Sequence, residues 1–472
     1  MQGRARGAEE SNIAELQGLF SPKSIALIGV PRELKPGRIF LAALLEQGFP
    51  WQIYVINPGA SDIDGFKAYP SIKAVDGHVD AAIILVPGQK TPEVLQECAE
   101  KGVKLAILYT AGYGELGTEQ GRLLEQRVSE IANSSGMRLL GPNCMGIYSP
   151  RAGLANFLGL SRQAGKFAIV SQSGSLANML SLLAPKREMY FSWVFSTGNE
   201  LDLGSSEILE CLGQDEDTEF IGMYLEGIRD GSRFLTTLKT VSRKKPVFVW
   251  KLGGSDEGRR AARSHTGSMT GSSDAWEAAF RQSGCIRVVG LEEFVDMATA
   301  LYFLPRKIGR RVGIVSGLNG LSIPFSSSCA DFDLDVSPVS RGTGAAMSPL
   351  LGGSRERAGN LLEMDFSTPS GAARFRDVVA IMADDPHIDT IMVVGEWRTP
   401  EQSEGFSRAM SEARANAGKC FVVVNFTASE GEVIYPFFQR GIPVFDSVER
   451  AALSCSKVLQ YQAWAAGQAR CG

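Results

Sequence analysis

The chain has 472 residues, enough for about three domains. Its 48 Lys+Arg against 52 Asp+Glu leave a net charge of −4, and no basic stripe marks a nucleic-acid binder. A hydrophobic share of 44% and a charged share of 21% exclude disorder over most of the chain. No apolar run approaches the ~20 residues that span a bilayer.

The first twelve residues, MQGRARGAEESN, lack an apolar core and do not read as a secretory signal. The first predicted strand is SIALIG, Ser24–Gly29, followed by a helix near Arg38–Gln47. Strands are then predicted at Gln52–Ile56, Ala81–Val86 and Leu105–Tyr109, each with a helical pattern after it. A second block repeats the rhythm at Phe167–Ser171, Phe191–Phe195, Phe220–Leu225 and Pro246–Lys251, and ends after a helix around Leu291–Phe303. A third opens at Val312–Ser316 and continues through Thr390–Val394, Cys420–Asn425 and Pro443–Phe445 to a helix over Glu449–Ala466. Short apolar strands alternating with helices mean βαβ units and mostly parallel sheets. The expectation is three consecutive doubly wound α/β modules, 1–150, 151–306 and 307–472. In such sheets the chemistry belongs at the carboxyl ends of the strands.

The eight cysteines are scattered without a C-x-x-C pair. Neither a metal site nor a disulfide framework is expected, and a reducing, cytoplasmic compartment is. Gly112–Gly117 fits G-x-G-x-x-G, but it falls late in its module, and no acidic residue ends the next strand. A tight turn explains it better than a dinucleotide site. No P-loop and no G-x-S-x-G elbow occurs.

Ser171-Gln172-Ser173-Gly174-Ser175 joins a strand to a helix. Hydroxyls and free N–H groups there suit an anion, or simply cap the helix. His265 lies in Arg263-Ser264-His265-Thr266-Gly267-Ser268, with Arg259 and Arg260 just before. Neutral imidazole attacks phosphorus well near pH 7, and arginines can hold a phosphoryl group. An exposed loop histidine without a role fits the same residues. Glu226 ends a strand before Gly227. It could fix an imidazole tautomer, or cap the next helix.

Taken in order, the segments SIALIGV, YVINPG, AAIILVPG, AGYGELG, GPNCMG, SQSGSL, STGNELDLG, MYLEGI and RSHTGS cover the first two modules. With them the chain resembles the α subunit of the NDP-forming acyl-CoA synthetases, the ADP-forming acetyl-CoA synthetase branch of the succinyl-CoA synthetase superfamily. The resemblance implies a Rossmann-like CoA-binding domain followed by two flavodoxin-like domains. It implies CoA at Gly29, Asn57, Pro58, Pro87, Asn143 and Cys144. It implies a phosphoryl or acyl site at Ser171, Gln172, Ser173, Gly174, Asn199 and Glu200, with His265 phosphorylated and Glu226 supporting it. Phosphate and a small carboxylic acid or acyl-CoA are the implied substrates. ADP or ATP with Mg would bind an ATP-grasp β subunit on a separate chain. A non-catalytic CoA-binding regulatory or scaffolding protein, or an acyl- or CoA-transfer enzyme without a nucleotide step, are the competing expectations. The third module departs from the family pattern at Ser316-Gly317-Leu318-Asn319-Gly320, where Gly-Gly-Pro-Gly is usual. Pro31 replaces a small hydroxyl residue at the first turn and removes an N–H.

Overall fold

The computed structural model describes residues 13–33, 35–253, 272–318, 322–336, 338–351, 361–427 and 431–471. They form three sheets, distributed over two compact units. The first unit comprises residues 1–183 and 190–287, the second 184–189 and 288–472.

The first unit holds two sheets. One contains β1 (Ser24–Ile28), β2 (Gln52–Ile56), β3 (Asp62–Ile63), β4 (Phe66–Tyr69), β5 (Ala81–Ile84), β6 (Leu105–Leu108) and β7 (Arg138–Leu140). Their order is β3-β4-β2-β1-β5-β6-β7, parallel apart from the β3–β4 pair. β1, β5 and β6 are buried at every position, as continuous apolar runs require when helices cover both faces. The helices between them stop where glycine can turn left-handed: Gly48, Gly102 and Gly136 follow Pro36–Gln47, Thr91–Lys101 and Glu119–Ser135.

The other sheet contains β8 (Gly146–Tyr148), β9 (Phe167–Ser171), β10 (Phe191–Ser196), β11 (Phe220–Leu225), β12 (Val247–Lys251) and β13 (Ile286–Val288), in the order β13-β12-β11-β9-β10-β8. β8 runs antiparallel to β10. It lies inside the block expected to end at residue 150, so the chain enters its second sheet before that boundary. Phe167 stacks with Phe191, Phe220 and Phe248 at centroid distances of 5.1, 4.8 and 5.9 Å. These rings sit at or next to the amino ends of four neighbouring strands. The apolar anchor of the sheet is therefore at one edge, and the polar strand ends are at the other.

The second unit is built on β14 (Val312–Ser316), β15 (Leu361–Glu363), β16 (Thr390–Gly395), β17 (Cys420–Asn425) and β18 (Val444–Phe445), in the order β15-β14-β16-β17-β18, all pairs parallel. The helix Gly290–Phe303, expected to close the second module, belongs to this unit instead. It packs on the last helix, Val448–Cys471, where Arg450 reaches buried Asp296 through two hydrogen bonds of 2.6 and 2.9 Å. The stretch after Pro338 contains a helix at Arg341–Met347 as well as β15.

Candidate active site

In the first sheet, the loops after β1, β2 and β5 are drawn together. Gly29 has φ +91°, and a Cβ there would lie 2.7 Å from Val86 Cγ1, so only glycine lets the two strand ends approach. Asn57 donates from Nδ2 to the Val30 carbonyl at 2.7 Å and accepts from the Gly59 N–H at 2.7 Å, which ties the β2 loop to the β1 loop. Pro58 follows in that turn, and Pro87 precedes the short turn Gly88–Lys90 after β5. These loops could cradle an extended ligand, held mainly through backbone.

Cys144 is placed differently from expectation. Its side chain is 3% exposed, its Sγ donates to the Leu108 and Leu140 carbonyls at 3.5 and 3.6 Å, and burial pushes the thiol up to about 12. Its side chain packs the core under the loop. Its neighbour Asn143, at φ +58°, donates to Asn199 Oδ1 at 3.4 Å.

The loop after β10 lies along the end of the first sheet. Asn199, Leu201 and Leu203 donate backbone N–H groups to Pro142, Gly141 and Leu139 at 3.0, 2.9 and 3.0 Å. Arg138 grips Asp202 with Nε at 2.9 Å and Nη2 at 2.8 Å. Asn199 also donates to Glu115 Oε2 at 2.5 Å. The other oxygen of Glu115 accepts the Gly112 and Tyr113 N–H groups at 2.6 and 3.1 Å. A carboxylate of the chain itself thus takes up the N–H groups of the glycine-rich turn, which closes the turn on itself.

In Ser171–Gly174 the roles divide. Ser171 Oγ donates to the Ser173 carbonyl at 2.7 Å, and Ser173 Oγ accepts from the Leu176 N–H at 3.3 Å, capping the helix Gly174–Leu183. Gln172 accepts from the Glu226 and Gly227 N–H groups at 2.5 and 3.1 Å, and donates to the Gly227 carbonyl at 2.8 Å. Glu226, 3% exposed, directly follows β11. Gln172 therefore fixes where Glu226 stands. His265 lies outside the described residues, as do Arg259, Arg260 and Arg263.

An ADP-forming acetate–CoA ligase I subunit alpha from Pyrococcus furiosus is 40% identical over 329 residues, covering 68% of this chain and 71% of that one. The II subunit alpha from the same organism is 33% identical over 453 residues, 94% and 97% of the two chains. The chain belongs to the ADP-forming acetate–CoA ligase alpha-subunit family.

The family's parts are recognised separately as well. Residues 23–150 match the model of a CoA binding domain, and residues 164–301 that of a succinyl-CoA ligase like flavodoxin domain. A dinucleotide-forming acetyl-coenzyme A synthetase 1 from Candidatus Korarchaeum cryptofilum, solved with phosphate and ADP, superimposes with a TM-score of 0.85 at 29% identity, covering 96% and 98% of the chains. Of two other curated acetate–CoA ligases the chain spans only 46% and 64% of their length.

Within this family member, Glu200 is a buried acid of the site. It is 7% exposed, its Oε1 accepts from Thr197 Oγ1 at 2.8 Å and from Ser205 Oγ, and burial raises its pKa above the ordinary 4.5. A carboxyl whose folded pKa is raised stabilises the fold fully below its unfolded pKa, and this is lost as pH rises through the folded value. Glu200→Gln keeps the acceptor oxygen and removes the titration. The variant is expected to gain stability relative to the parent as pH rises above the ordinary carboxylate range. Urea unfolding over a pH series reads this directly; a pH-independent difference would contradict it.

Glu115 and Lys251 were not singled out in the sequence. Glu115 lay inside the discounted glycine motif. Lys251 ends a strand, where a lysine ordinarily reaches water. The usable signals were the carboxylate in Gly-Tyr-Gly-Glu and a lysine just upstream of the histidine-bearing stretch.

Proposed function

We propose that the chain is the alpha-type subunit of an NDP-forming acyl-CoA synthetase, interconverting acyl-CoA, ADP and phosphate with carboxylic acid, CoA and ATP. One observation carries this reading. Asn199 donates from its side chain to Glu115 and from its backbone to the Pro142 carbonyl, while Gln172 holds the backbone of Glu226 and Gly227 in the same set of strand-end loops. The bonds of Asn199 link strand-end loops of the CoA-binding-type region with those of the flavodoxin-like region.

In this reading CoA lies over Gly29, Asn57, Pro58, Pro87 and Asn143, a cradle that the close approach at Gly29 favours. Phosphate and the acyl group bind at the start of the helix Gly174–Leu183, near Ser171 and Ser173, where free N–H groups favour an anion. Phosphate oxygen attacks the thioester carbonyl, the C–S bond breaks, and acyl phosphate and CoA result. An imidazole nitrogen of His265 then attacks phosphorus, the P–O bond to the acyl group breaks, and the carboxylate leaves. Glu226 accepts the hydrogen bond of the other ring nitrogen, fixing the tautomer that attacks. The phosphoryl group finally passes to ADP. That step, with Mg, belongs to an ATP-grasp β chain. The match to separately named alpha subunits supports such a partner.

The test is to incubate the purified chain with acyl-CoA and labelled phosphate. An acid-labile, base-stable label is expected, and His265→Ala should abolish it. Label that survives the substitution sinks the phosphohistidine assignment. CoA binding without any label would favour the regulatory CoA-binding alternative.

A further inference from the structure

Lys251 is the last residue of β12 and pairs in register with Leu225 of β11. Its ammonium donates to the carbonyl of Glu226 at 2.9 Å and to that of Leu252, and lies 5.2 Å above the ring of Trp276. An ammonium has three N–H groups. Here they face three elements: the end of β11, the end of β12 and the helix Ser273–Ser283. Trp276 is itself held against Phe234 and Phe280, each at 5.7 Å. In sequence, Lys251 and Trp276 flank the stretch that carries His265.

The electrostatics agree with this geometry. Burial draws the pKa of Lys251 down to about 8, and the charge of Glu226 opposes that fall. Among the acids of the facing helix, Asp274 is exposed and Glu277 pairs with Arg287 at 2.7 Å. A half-buried cation at this place raises the cost of its own charge. It is compensated by the carbonyls, the indole face and the carboxylate.

We propose that Lys251 is a positioning residue for Glu226, fixing the end of β11 against the helix Ser273–Ser283 and keeping a positive charge beside the buried carboxylate. The inference rests on the function proposed above, because it takes Glu226 as the working carboxylate.

The test compares wild type, Lys251→Met and Lys251→Arg by the rate of phosphate labelling across pH. In the Met variant the rate should fall about 10²-fold, as small misplacements of reacting groups do, with KM for acyl-CoA unchanged. Wild-type labelling should decline above about pH 8, where the ammonium is lost. The Arg variant stays charged. It should recover most of the lost rate and carry no such decline. The indole emission of wild type should show a transition near the same pH that the Met variant lacks. A Met variant labelling at the wild-type rate, or the same alkaline decline in wild type and the Arg variant, overturns the proposal. If the Met variant fails to fold, the pH profile of the Arg variant decides alone. Labelled wild type that is indifferent to Lys251 refutes this inference only. No label in wild type, or label surviving His265→Ala, overturns the functional reading and this inference with it.

Discussion

Replacing Glu226 with glutamine is expected to stop phosphoryl transfer while the protein stays folded. The side chain is 3% exposed, and its backbone N–H is held by Gln172 at 2.5 Å, so the substitution changes charge more than position. In the proposed function the carboxylate only accepts, which forces the facing imidazole nitrogen to carry the proton and leaves the other free to attack. An amide can present an N–H in the same place and select the wrong tautomer. Carboxylate-to-amide changes in carboxylate–histidine pairs cost about 10⁴ in rate, and a loss of about 10³- to 10⁴-fold in labelling is expected here. The amide fills nearly the same volume, so a cooperative unfolding transition should remain, with a midpoint lowered because the Lys251 ammonium loses a compensating carboxylate. Rapid-quench labelling and a melting curve on one preparation measure both. Labelling at the parental rate would remove Glu226 from the mechanism.

The second large effect is structural. Gly198 has φ +57°, and a Cβ there would stand 2.2 Å from the Pro142 carbonyl oxygen and 2.4 Å from that of Asn143. Both obstacles are backbone, so neither can rotate aside. Gly198→Ala adds left-handed strain of about 1 kcal/mol to overpacking of roughly 1–3 kcal/mol. A loss of about 2–4 kcal/mol in unfolding free energy is expected. Gly48→Ala is the control: φ is +76° there, yet nothing lies within 4 Å of the added atom. It should lose only about 1 kcal/mol. If the two variants unfold at the same denaturant concentration, the loop contact at Pro142 and Asn143 is not the constraint described. Because Asn143 and Asn199 sit on the two sides of that contact, Gly198→Ala should also weaken CoA binding, measurable by calorimetry.

What could be read from the sequence follows from what each signal records. Runs such as FAIVS and CFVVVN are buried on both faces, so their apolar continuity marks them as strands wherever they pair. Gly146–Tyr148 escaped notice because three residues carry no period; it is a strand only because β10 accepts it. The helix Gly290–Phe303 was recognised, but its partner was not. An amphipathic face says that something covers it, and Arg450, which reaches Asp296, lies far along the chain. In the candidate site, the motif residues mark strand-end loops but not their side-chain duties. Gln172 reads as a ligand-binding amide, yet it secures the backbone of Glu226. Lys251 carries no motif at all, since what distinguishes it is the indole and the carbonyls brought to it by distant turns.

The edge position of β8 bears on how this chain could be divided. Pro150, with its turn-rich surroundings, looks like the natural place to cut between a nucleotide-fold half and the rest. A break there would leave Gly146–Tyr148 attached to a fragment that has no use for it, and would expose the flank of β10 as an open template. Chimeras or split versions that exchange the first sheet should therefore part the chain ahead of Gly146, and keep the short strand with the half whose sheet it completes.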